Sequence, residues 1–488
     1  MIEVGLRLNG RTGGDREVLG GKAAGIERML ALGAPVPPAF VLTTELCRRF
    51  YANVRRVPTD VWEQLPGLVR ELERATGRTF GHGPRPLLVS VRSGASASMP
   101  GMMDTVLNVG LTPQVEQQLG AHAADTRRRF TEQFAHVVGE RAPADPWEQL
   151  RLAITSVLAS WMSPRAVAYR ADQGLDDRGG TAVTVQAMVF GNKDDRSGTG
   201  VVFSRNPLTG GADVYGEWLG RGQGEDVVSG RADARPLAEL GAKMPEVHEE
   251  LLGWARVLEQ DGRDVQDIEF TVESGTLWLL QTRVAKRAPE AAVRHAVAMA
   301  QEGLISREEA VGRLTATQVA ALLRPVIDPG HVKAAKVLAR GKPACPGVGV
   351  GVVGADADTV EQQAADGAGV VLARATTDPG DVSAMSVARA VITEAGGSTS
   401  HAAVVCRELA VPCVVGCGVD TVTALNGRLV TVDGGAGLVY EGALPILRPD
   451  TLVGTDLATV AEWARSAPDV RGAAGLQSVL QAHGKLLG

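Results

Sequence analysis

The spacing of apolar and polar positions changes character several times along the chain. Leu87-Leu88-Val89-Ser90-Val91-Arg92 is a short continuous apolar run closed by Ser93-Gly94, the pattern of a buried strand. Residues 26–32 repeat apolar positions at helical spacing after Leu19-Gly20-Gly21-Lys22-Ala23-Ala24-Gly25, and Pro35-Val36-Pro37-Pro38 breaks that helix. Between residues 111 and 178, Phe130, Phe134 and Val137-Val138 fall three or four apart and predict helices. A strand-rich block follows at 182–190, 198–204, 268–272 and 277–280. Residues 288–325 read as a helical connector, with charged residues set among Ala, Leu and Val. From 341 to about 442, Gly, Ala and Val dominate and short strands are expected. The tail from Asp450 carries two helical patterns. No internal repeat or low-complexity segment occurs. The predicted class is multidomain α/β (α+β).

Composition narrows the function classes. A chain of 488 residues, 44% of them hydrophobic, has length and apolar content for about three domains. Net charge is −6 and no long basic run appears, which excludes nucleic acid and anionic membrane as expected partners. No apolar stretch is long enough to span a bilayer, and Met1-Ile2-Glu3-Val4-Gly5 does not open a secretory leader; a cytoplasmic location is expected. Five cysteines, Cys47, Cys345, Cys406, Cys413 and Cys417, lack metal-ligand pairing and read as reduced thiols, those near His401 as small core residues. Gly is abundant at 59 residues, and loops that approach phosphate closely would use part of it.

Candidate chemistry concentrates in three places. Gly20-Gly21-Lys22 sets a lysine at a helix start, where backbone N–H groups and an ammonium can hold phosphate. Arg92 ends a strand and can grip phosphate bidentately, although a surface ion pair is the simpler use. Asp267 and Glu269 alternate with Ile268 and Phe270, so both carboxylates project from one strand face, a spacing that suits Mg²⁺. Gln281 and Arg283 repeat that interval on the next strand. A three-residue loop Ser274-Gly275-Thr276 would set Glu269 against Gln281 and Asp267 against Arg283, whereas a two-residue turn would set Leu280 against Glu269. A solvated hairpin face is the alternative. The third place is Gly396-Gly397-Ser398-Thr399-Ser400-His401, a glycine-rich turn running into an apolar helix. A histidine at a helix N-terminus can accept a phosphoryl group, or simply cap or pack the helix.

Together the segments LGGKAAG, PVPPAFVLTTELC, LLVSVRSGASASMPGMMDTVLNVGL, SGTGVVFSRNP, QDIEFTVESGTLWLLQTR and GGSTSHAAVVCRELAVPCVVGCG resemble the pyruvate, phosphate dikinase family, in family order across most of residues 15–445. The resemblance implies an ATP-grasp nucleotide-binding domain at 1–287, a helical linker at 288–340, a swivelling β/β/α phosphohistidine domain at 341–445 and a helical tail at 446–488. It gives Lys22, Arg92, Gly101, Thr199, Glu217, Glu225, Asp267 and Arg283 to ATP and phosphate, and Glu269 and Gln281 to the metal. His401 matches the phosphorylated histidine and Thr399 a threonine that some members use for regulation. ATP, Mg²⁺ and inorganic phosphate are the implied ligands. Relative to the family, the stretch between Val138 and Pro146 is short. The barrel that binds phosphoenolpyruvate and pyruvate has no counterpart here, with residues 457–472 resembling its lead-in. The expected reaction is therefore phosphorylation of His401 by ATP with phosphate, releasing AMP and pyrophosphate, for an acceptor on a separate protein. Alternatives are a phosphohistidine relay serving another small molecule, or a non-catalytic nucleotide-binding partner. Hinges for the swivelling domain are expected near Asp328-Pro329-Gly330 and between Gly442 and Pro449.

Overall fold

The computed structural model describes residues 4–97, 99, 101–228, 234–322, 326–447, 455–466, 470 and 473–476. They divide into two compact units. The first comprises residues up to Thr199 with 220–223 and 268–283, and the second holds the remainder.

The first unit is built on an all-antiparallel sheet of order Gly5–Arg7, Ala39–Leu42, Thr181–Ala187, Val89–Ala95, Thr105–Val109. Val89–Ala95 and Thr181–Ala187 are central strands, and all but Arg92 of their residues are buried, polar Ser90, Ser93, Thr184 and Gln186 included. The helix Arg16–Ala31 starts on Asp15, whose side chain accepts from the Val18 N–H. That helix breaks at Gly20, which has φ +74°. A Cβ there would overlap the Gly94 carbonyl, and one at Gly25 would lie 2.9 Å from the Thr282 carbonyl oxygen. These two glycines let the helix lie directly on two strands. The predicted helical stretch between 111 and 178 resolves chiefly into Ala123–Val138, Pro146–Ser160 and Pro164–Asp172.

The hairpin carrying the paired polar groups differs from the sequence expectation. Its strands are Gln266–Glu273 and Thr276–Val284, so the turn is two residues, not three. Ser274 and Gly275 both have positive φ, +51° and +82°, as a two-residue primed turn requires. The cross-strand opposition inferred from loop length therefore does not hold. Burial along the second strand alternates from Leu277 to Leu280 and then breaks, Gln281 and Thr282 both being buried.

In the second unit, residues 337–441 form a mixed eight-stranded sheet. Val348–Gly354, Val370–Arg374, Ala390–Thr393 and Cys413–Val415 run parallel, and the other four strands pair antiparallel with their neighbours. Helices Ala357–Ala365, Val382–Val387 and His401–Leu409 cover one face through a core that includes Val370, Leu372, Met385, Ala403 and Cys406. Cys345 and Cys413 stand opposite each other across two strands, and Cys406 bonds to Cys413. Burial holds the Cys406 thiol well above its ordinary range, so these are core thiols. The helices Pro289–Gln301, Arg307–Gly312 and Thr455–Ser466 share a separate core. Val326–Ile327 and Ile446–Leu447, in the two expected hinge regions, pair with each other as an antiparallel ribbon; residues 448–449 and the second helix expected in the tail lie largely outside the described residues. Among the described residues, no helix is long and apolar enough to cross a membrane.

Candidate functional site

Lys22, Arg92, Glu269, Gln281 and Arg283 gather in the first unit. The kink at Gly20 turns Lys22 toward the strand end, where its Nζ donates to the Ser93 carbonyl at 2.6 Å. Arg92 Nη2 donates to Gln281 Oε1 at 2.9 Å and lies 3.4 Å from Glu269 Oε2. The hairpin groups thus converge on one guanidinium despite the altered loop. Burial, then the charge of Arg92, lowers the Lys22 ammonium to about pH 7; Arg283 adds to the fall and Glu269 opposes it. Three basic side chains face one carboxylate, an arrangement that favours a polyanionic ligand.

Two other predicted residues lie in the same unit. Thr199 is buried on the strand Gly198–Phe203, its hydroxyl donating to the Phe270 carbonyl at 3.0 Å. Gly101 adopts φ +70° in the loop after Ser93-Gly94, whose Ser98 and Pro100 lie outside the described residues. Arg16, which had no signature in the sequence, ties that loop down, its Nε donating to the Ser96 carbonyl at 2.7 Å. Among the described residues no group of three His, Cys, Asp or Glu could hold a metal ion. The Glu269 carboxylate and Gln281 amide oxygen nevertheless fit Mg²⁺, which takes few protein oxygens and fills its shell from phosphates and water.

The remaining predicted residues fall in the second unit. Asp267 is buried, and its charge acts on Arg407. Glu225 stands in the first turn of the short helix Gly224–Val228. Glu217 lies on the strand Tyr215–Gly220 and accepts hydrogen bonds from Thr399 at 2.7 Å and Ser398 at 3.2 Å.

His401 is the first residue of the helix His401–Leu409, with Ser400 extended at the N-cap. Ser400 makes no side-chain cap bond, and its hydroxyl is buried without a hydrogen-bond partner. His401 Nε2 is likewise buried without a hydrogen-bond partner. A backbone hydrogen bond from the Asp378 segment supports the charged form of the ring. Burial lowers the imidazole below its ordinary range, partly opposed by the charges of Asp378 and Asp381. The Asp378 turn is fixed in turn: its N–H donates to Asp381 Oδ2 at 3.0 Å, and Asp381 pairs with Arg374 at 3.1 Å. On the other side, buried Arg407 donates to the carbonyls of Ser398 at 2.9 Å, Ala344 at 3.1 Å and Lys286 at 3.2 Å. A charge inside the apolar run 402–409 was the one sequence signal for Arg407.

The structure thus presents a basic cluster around Lys22 and a buried histidine at a helix start. Residues 16–236 match the model for the pyruvate phosphate dikinase AMP/ATP-binding domain, and residues 366–437 match the mobile domain of PEP-utilising enzymes. The chain is 40% identical to a pyruvate, phosphate dikinase of Rhizobium meliloti over 92% of its own length and 58% of that protein. It is 37% identical to one of Clostridium symbiosum over 88% of its length and 56% of the relative. Pyruvate, phosphate dikinase 2 of Zea mays is 38% identical, covering 92% and 58% respectively. The chain belongs to the pyruvate, phosphate dikinase family, and spans less than two thirds of the curated relatives it matches.

Proposed function

We propose that this chain is a pyruvate, phosphate dikinase-like phosphotransferase whose His401 takes a phosphoryl group from ATP. Inorganic phosphate takes part, AMP and pyrophosphate are released, and the group is carried on toward an acceptor, which is pyruvate on the analogy of the relatives' names. The observation that carries the reading is His401 itself: Nε2 lacks any partner, and burial keeps the ring neutral. A neutral imidazole has the lone pair that attack on phosphorus requires. As the N–P bond to the β-phosphorus forms, the bond from that phosphorus to the oxygen of AMP breaks and AMP leaves; inorganic phosphate then takes the terminal phosphoryl group as pyrophosphate, and one phosphoryl group remains on a cationic ring. The Asp378 contact and the carboxylates of Asp378 and Asp381 support that charge.

Lys22, Arg92 and Arg283 would hold the nucleotide phosphates. Phosphoryl transfer depends chiefly on positioning and on neutralising the equatorial oxygens. Glu269 and Gln281 would hold Mg²⁺, which when bound offsets phosphate charge and orients the transferred group. Arg92 grips both side chains in the ligand-free protein and would be released to phosphate as ligand arrives. Thr199 and Gly101 would shape the phosphate loops, and Thr399 is a candidate regulatory position.

The test is incubation with Mg-ATP, with and without phosphate, scoring AMP and a base-stable, acid-labile label on protein. Label is expected in the wild type and absent in His401→Ala. Equal labelling of that variant would refute the relay. Glu269→Ala is expected to lose labelling by at least about 100-fold with the fold intact; normal labelling would clear Glu269 of a metal role.

A further inference from the structure

Glu217 makes contacts that a nucleotide ligand would not be expected to make. It is buried at 6% exposure, and both carboxylate oxygens are engaged by the turn that leads into His401. Oε2 accepts from Thr399 at 2.7 Å and Oε1 from Ser398 at 3.2 Å. Tyr215, on the same strand face two residues earlier, brings its hydroxyl to 2.5 Å from Ser398 Oγ. Arg407 closes the other side through the Ser398 carbonyl.

The two glycines of the turn have separate reasons to be glycine. Gly396 has φ +114°, in the left-handed region. Gly397 gives clearance: a Cβ there would lie 2.5 Å from Glu217 Oε2. The turn is thus fitted to this carboxylate in backbone as well as side chain. Two hydroxyl bonds to one buried carboxylate are charge-assisted and directional. They fix Ser398 and Thr399, and with them the start of the helix at His401. Both oxygens are thus engaged by the turn.

We propose that Glu217 is a positioning residue for phosphoryl transfer: it latches the Ser398–Thr399 turn and so sets where the His401 imidazole stands, without touching nucleotide. This rests on His401 being the phosphoryl carrier.

The experiment compares wild type, Glu217→Gln, Thr399→Val and the double variant by single-turnover labelling with Mg-ATP and phosphate, beside equilibrium nucleotide binding and backbone hydrogen exchange. Glutamine keeps the shape and retains one acceptor. Glu217→Gln is expected to slow labelling at saturating nucleotide about tenfold, with nucleotide Kd within about twofold of wild type. Thr399→Val is expected to slow it similarly, and the double variant hardly further, because both break one contact. Amides of residues 398–402 should exchange faster in Glu217→Gln, while those of the strand Val89–Ala95 stay protected. A raised Kd with an unchanged saturated rate would make Glu217 a nucleotide ligand and overturn the proposal. Fully additive rate losses, or unchanged exchange at 398–402, would overturn it too. If the wild type takes no acid-labile label, the carrier reading fails by itself, and the exchange comparison still decides whether Glu217 holds the turn.

Discussion

At the scale of single residues, Lys22 is strongly altered by folding. Its ammonium titrates near 7 instead of 10.5, burial being the largest cause and Arg92 the next. Between those two values the unfolded chain holds a proton that the folded chain lacks. Stability contributed through Lys22 therefore rises as pH increases across that window. A phosphate-bearing ligand reverses the balance, since its negative charge favours the ammonium. Mg-ATP binding at pH 8 is accordingly expected to take up as much as about one proton per site. Calorimetry in buffers of different ionisation enthalpy measures this, and Lys22→Met should abolish it; uptake unchanged in that variant would show that the proton goes elsewhere. The residues of this cluster were legible through a helix start and an i, i+2 interval, although Arg92, expected to end its strand, lies in the middle of Val89–Ala95. Asp267 shares a strand with Glu269 and is buried, with its charge also acting on Arg407, a neighbour that the spacing did not name. Which neighbour a strand residue meets is a tertiary fact, and spacing along one strand does not contain it.

At the scale of elements, the helix Arg16–Ala31 owes its place to missing side chains. Gly20 combines φ +74° with a direct approach to the Gly94 carbonyl, whereas Gly33, just past the same helix, has φ +81° and open space around its Cα. The pair separates backbone strain from packing. Gly33→Ala is expected to cost about 1 kcal/mol from the left-handed conformation alone. Gly20→Ala adds steric overlap and should cost at least about 2 kcal/mol more, with weakened nucleotide binding because Lys22 follows two residues later. Urea unfolding of the two variants measures the difference; equal losses would mean that the helix shifts freely on the strand. The hairpin turn teaches the converse lesson. Ser274 adopts φ +51° beside Gly275, so a serine occupies a position that statistics assign to Asn, Asp or Gly. Nothing local in Ser-Gly-Thr marked that choice. Burial of Gln281 and Thr282 in succession also breaks the alternation along that strand.

At the scale of the whole molecule, hydrophobic cores are distributed so that a local loss stays local. The sheet of residues 337–441 encloses its own cores on both faces. The connector helices Pro289–Gln301 and Arg307–Gly312 are completed by the helix Thr455–Ser466, which brings Leu457, Val460, Trp463 and Ala464 into their core. Sequence periodicity marked both stretches as helical but could not pair them, because about 140 residues of intervening chain separate the partners and helical period carries no long-range address. Trp463 is 9% exposed, and the Arg307 guanidinium lies 5.6 Å from its ring centroid, so truncation removes both a large apolar body and a cation–π partner. Trp463→Ala is expected to destabilise the connector by about 3–5 kcal/mol. Hydrogen exchange should speed up in Pro289–Gln301 and Arg307–Gly312 while protection in Val370–Arg374 and Ala390–Thr393 is retained, since no residue of those strands shares the Trp463 core. Loss of protection spreading through the strands of the His401-bearing sheet would mean that the cores unfold as one cooperative body.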